Sequence, residues 1–139
     1  MILRISTDER LQRDAFGMQP DTYFSAAIAH AYYCIFYCAK AYLLTKGVRT
    51  RPPEEHKKTY GGFARFVKRG VVDAELLRLY EETMVRADTL LMIFGKEKRK
   101  RGEFTYRKLP QANRGPAEES VRNAQTFYRH IVNVVRETA

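Results

Sequence analysis

Apolar positions along this chain recur at helical spacing in several blocks, and Pro and Gly separate the blocks. The first long block opens at Pro20-Asp21, where Asp21 can act as an N-cap. It is predicted to run from Thr22 to Thr45 and to stop at Gly47, a C-cap position. A loop carrying Pro52-Pro53 follows, then a shorter helix from Glu54 to Lys68 that ends at Gly70. Asp73 can cap the next helix, predicted to reach Phe94. Its apolar positions are Leu76, Tyr80, Met84, Ala87, Leu91 and Phe94, always three or four apart. Residues 95–114 lack an apolar period and read as a loop. Gly115-Pro116 opens the last helix, with Glu118 and Glu119 near the positive end of its dipole. Val121, Ala124, Tyr128, Ile131 and Val135 line one face of it. Asp8–Phe16 is expected to add a short early helix.

No alternating run of β-branched residues suggests a strand. The expected fold is therefore all-α, a bundle of four to five up-and-down helices, with residues 1–139 as a single domain. Ala26, Ala27, Ala29, Ala31 and Ala39 crowd the first long block, and small side chains let neighbouring helices approach closely. Tyr32, Tyr33, Phe36 and Tyr37 fill the remaining space or form an interface, so this helix is expected at the centre.

That block also bears on membranes and metals. Residues 23–44 hold one ionised side chain, Lys40, but Ser25 and His30 interrupt the run and three tyrosines sit at its middle. Tyrosine in a membrane helix favours the interfaces, so a buried central helix is expected and no membrane span. His30, Cys34 and Cys38 share one helical stripe. A metal needs ligands from several elements, so core packing is expected and no metal site. Two cysteines without a CxxC pattern fit a reducing, cytoplasmic setting. The charged residues scattered through Met1–Gln19 are unlike the apolar core of a secretion signal.

Composition changes this picture through charge. The chain has 139 residues, 25 Lys plus Arg against 16 Asp plus Glu, and a net charge of +9. Residues 96–114 hold eight cations and two carboxylates, a net +6 of that total. Lys96, Lys98, Arg99, Lys100, Arg101, Arg107 and Lys108, with Phe104 and Tyr106 among them, give the basic and aromatic mixture that tracks a phosphate backbone. These seven are the expected contacts to RNA or nucleotide. No glycine-rich phosphate loop is present, which excludes a P-loop nucleotide site, and no cofactor is expected.

The stretch YFSAAIAHAYYCIFYCAKAYLLTKG at 23–47, then His56, then RFVKRGVVDAEL at 65–76, resembles the HEPN superfamily, closest to its small prokaryotic single-domain members. The resemblance covers roughly residues 21–94, and the last helix is compatible with it. It implies a helical bundle that forms homodimers. It also implies a nucleotidyltransferase as partner in toxin–antitoxin or defence systems, and metal-independent ribonuclease activity. The family's cutting motif is Arg, then four to six residues, then His, on a late helix. The Arg stabilises charge on the phosphate and the His moves a proton. Here Arg122-Asn123 matches the start of that motif, but position 127 is Phe and the next histidine is His130. Arg122 and His130 are the catalytic candidates. Arg51 and His56 match the spacing but span Pro52-Pro53. Arg86 and Asp88 read as an ion pair or interface pair. The alternative to an RNA-acting protein is a non-catalytic module that docks a nucleotidyltransferase or binds nucleotide through its basic loop.

Overall fold

The computed structural model describes residues 20–80, 85–106 and 114–138. These residues form five helices and no strand: α1 Pro20–Thr45, α2 Glu55–Lys68, α3 Val71–Leu79, α4 Ala87–Tyr106 and α5 Arg114–Thr138. The all-α expectation holds. The early helix expected at Asp8–Phe16 lies outside the described residues.

α1 is the central element and packs against α5, α4 and α2. Ile35, Ala39, Tyr42 and Leu43 have no exposed surface. Its alanines permit the close approach, and its tyrosines keep their hydroxyls bonded: Tyr32 to His56 and Tyr42 to Glu75. α2 comes so near that a Cβ on Gly62 would stand 3.0 Å from a methyl of Leu43. Gly47 ends α1 as expected, in the left-handed region at φ 75°. Val48 N–H reaches Leu43 C=O and Gly47 N–H reaches Leu44 C=O, the paired bonds of a Schellman turn.

The helix expected from Asp73 to Phe94 is two helices. Tyr80 is extended after α3, and its hydroxyl accepts a hydrogen bond from Asn133 of α5. Tyr80 leaves the helical path to pack against α5, while Leu76, Ala87, Leu90 and Phe94 still bury on the same core. A continuous apolar period therefore spans a break. Asp73 does cap a helix, though not its own: Gly70 precedes α3, and Asp73 Oδ1 accepts the Ala87 N–H of α4 at 2.8 Å.

Residues 95–106 are helical, where the sequence suggests a loop. The apolar period ends at Phe94, but a buried period continues in charged residues, because Glu97 and Lys100 point inward. In α5 the buried face is Ala117, Ser120, Ala124, Phe127, Ile131 and Val134. Tyr128, expected on that face, is 45% exposed.

Asp73→Ala is expected to cost about 1 kcal/mol of stability, the usual worth of a helix cap, with most of it retained in Asp73→Asn. Chemical denaturation of the two variants checks this.

Candidate functional site

The basic segment resolves into three groups. Lys100 is buried: its Nζ donates to Glu97 Oε2 at 3.0 Å, to Glu119 Oε1 at 2.9 Å and to Pro116 C=O at 2.9 Å. Glu97 has no exposed surface and also accepts from Ser120 and Asn123. Lys96 closes the cluster on Glu119 at 2.9 Å. Hydrogen bonds from the two lysines hold the Glu119 carboxyl below its usual range. Lys100 is thus a structural cation between α4 and α5, a correction to its expected role on RNA. Arg99 is exposed and Lys98 half-buried. Arg107 and Lys108 lie outside the described residues. Lys100→Ala strands Glu97 without its charge partner and is expected to cost about 3–5 kcal/mol, while Lys98→Ala leaves the melting temperature near wild type. Thermal unfolding of both variants separates the roles.

Arg101 forms the third group. It crosses to α1, donates from Nη2 to the Tyr33 hydroxyl at 2.6 Å, and lies 5.0 Å from the Tyr33 ring centre and 5.6 Å from that of Tyr32. His56, at the start of α2, reaches the same rings. It stacks on Phe36 at 4.2 Å, and its Nδ1 is 2.7 Å from the Tyr32 hydroxyl. Beside it Lys40 pairs with Glu55. Burial first, then the Arg101 charge, holds the His56 imidazole below its ordinary basicity; Lys98 and Lys40 add to this and Glu55 opposes it. Burial pushes the Tyr32 phenol up to about 12, so it keeps its proton. A neutral imidazole and a fixed guanidinium therefore share one aromatic platform, the pairing needed to accept a proton beside a developing negative charge.

The late-helix pair is arranged differently. His130 is buried against Tyr80, and its Nδ1–H donates to Thr126 C=O at 2.7 Å. Arg122 is exposed. One chain does not converge them, because eight residues of helix turn them to different sides. Arg86 and Asp88 form an exposed pair at 3.8 Å.

Between α1 and α5 runs an apolar groove. Two adjoining hollows of about 340 Å³ share Cys34 and Tyr128; His30 lines the first, and Tyr37 and Cys38 the second. Tyr37 is 60% exposed there. Both cysteines are free. The interaction between the two thiols lowers the pKa of Cys34 and, with burial, pushes that of Cys38 up. Among the described residues no group of three His, Cys, Asp or Glu is placed to hold a metal, and no helix is long and apolar enough to cross a membrane.

The His56 cluster has a sign that acid titration reads. Its folded-state basicity is depressed, so the unfolded chain takes up the proton first. Stability from this group is present above about pH 6.5, the ordinary histidine value, and is lost as pH falls below it. The melting temperature of His56→Asn is expected to fall less steeply on acidification than that of wild type.

Three comparisons bear on this arrangement. The HEPN domain profile matches residues 13–136. A protein of Methanocaldococcus jannaschii named "Putative toxin MJ0142" is 36% identical over 61 residues. The aligned stretch covers 43% of this chain and 40% of that relative, so less than half of either protein is compared. No solved structure matches the chain. With the central tyrosine-rich helix, His56 and the α2–α3 segment in place, and a profile match over nearly the whole length, the chain belongs to the HEPN domain family.

Proposed function

We propose that this protein acts on RNA as a toxin-like, metal-independent ribonuclease, with His56 and Arg101 at the reacting centre. The supporting observation is the shared platform of Tyr32, Tyr33 and Phe36, which holds a neutral imidazole and a guanidinium side by side. Membership of the HEPN family and the name of the archaeal relative support the reading. In the proposed step His56 takes the proton of a ribose 2′-hydroxyl as its oxygen bonds to phosphorus. The bond from phosphorus to the 5′-oxygen breaks, and that oxygen takes a proton from water. Arg101 neutralises the charge that builds on the phosphoryl oxygens. The products are a 2′,3′-cyclic phosphate and a 5′-hydroxyl. Tyr32 and Phe36 are positioning residues that orient the imidazole.

A second reading rests on the α1–α5 groove. Its apolar lining and the exposed Tyr37 and Tyr128 suit a protein surface, as a second copy of this chain or a nucleotidyltransferase would present. In that case the chain is an interaction module.

Incubating pure protein with single-stranded RNA in EDTA tests the first reading. Wild type and the exposed control Lys68→Gln are expected to cut equally. His56→Asn and Arg101→Gln are expected to lose about 100-fold or more, the usual worth of an acid–base or charge-stabilising group. RNA binding without cutting by wild type would favour the interaction module. Cutting lost in His130→Gln but kept in His56→Asn would return the chemistry to α5.

A further inference from the structure

The outer face of α5 carries a charge pattern that the reacting centre leaves unused. Arg122, Arg129 and Arg136 stand seven residues apart on one line along the helix. Seven residues are nearly two turns, so successive arginines lie about 10.5 Å apart at ~1.5 Å per residue. All three are exposed, and none has an ion-pair partner among the described residues. Between Glu119 and Glu137 the helix contains no carboxylate, so nothing on α5 itself neutralises the row. A shallow depression of about 490 Å³ joins Arg129 and Arg136 to Tyr128, whose ring is 45% exposed.

We infer that this row is the track on which a single RNA strand lies, with phosphates on the three guanidiniums and bases turned toward Tyr128. The inference rests on the ribonuclease reading and adds where the strand is held. Charge complementarity selects the occupant, since three unpaired guanidiniums in line call for a linear polyanion. A stacked strand rises about 3.4 Å per nucleotide, so adjacent arginines meet every third phosphate. The exposed phenol beside the row is what single strands use for stacking, whereas a duplex keeps its bases turned inward.

The test is binding of a fluorescent oligouridylate of about twelve nucleotides, within the usual site size, to the full chain across a salt series. Wild type is compared with the triple variant Arg122→Gln, Arg129→Gln, Arg136→Gln and with Tyr128→Ala. All these side chains are exposed, and unchanged melting temperatures confirm that the variants fold. Three lost phosphate contacts are expected to make the slope of log affinity against log salt shallower by about 2, at ~0.7 per contact on a single strand. Tyr128→Ala is expected to weaken binding about tenfold with the slope unchanged, within the range for one base–aromatic stack. Wild-type binding with the same affinity and slope in the triple variant overturns the track and leaves the RNA reading standing. No binding by wild type overturns both. Tighter binding of polyglutamate than of oligouridylate assigns the row to an acidic protein and overturns the track.

Discussion

A carboxylate with no exposed surface must be met by donors, and the fold is arranged around meeting Glu97. Taking that charge out of water costs several kcal/mol, which only a close cation and further hydrogen bonds offset. Lys100 supplies the cation from one turn along α4, while Ser120 and Asn123 supply donors from α5. The cluster binds the second half of α4 to α5 and keeps it helical. Arg101, the next residue, is thereby turned toward α1, where the Tyr32 and Tyr33 rings receive it. His56 arrives at those rings from α2. The proposed reacting centre depends on an ion cluster that lies outside it.

Much of the architecture is legible in the residues. Proline and glycine mark the starts and stops of α1, α2 and α5, because those ends rest on local backbone preferences such as the left-handed turn at Gly47. Two features are hidden for one reason: the deciding interaction is tertiary. The break before α4 comes from Tyr80 leaving its helix for Asn133, and nothing in the local spacing signals it. The helix through residues 96–106 is masked because its inward face is charged, and apolar periodicity alone puts Glu97 and Lys100 toward solvent.

The same contrast governs the functional residues. Lys98, Arg99 and Arg101 are visible as a dense run of charge, but composition does not separate Lys100, which is consumed inside the fold. His56 is written in a recognisable segment, yet its meaning lies in Phe36 and Arg101, which are distant in the chain. The arginines of α5 show the reverse. They are dilute along the sequence but aligned along one side of the helix, and only the seven-residue interval betrays them.

The cysteine pair in the α1–α5 groove has a consequence of a different kind. The neighbouring Cys38 thiol lowers the pKa of Cys34, which favours the thiolate, the nucleophilic form. Cys34 sits on the wall shared by the two hollows, beside Tyr128. Whatever fills that groove shields this sulfur, and whatever leaves it uncovers the sulfur. The rate at which a small alkylating reagent consumes Cys34 is therefore a built-in gauge of groove occupancy, readable by mass without any label added to the chain.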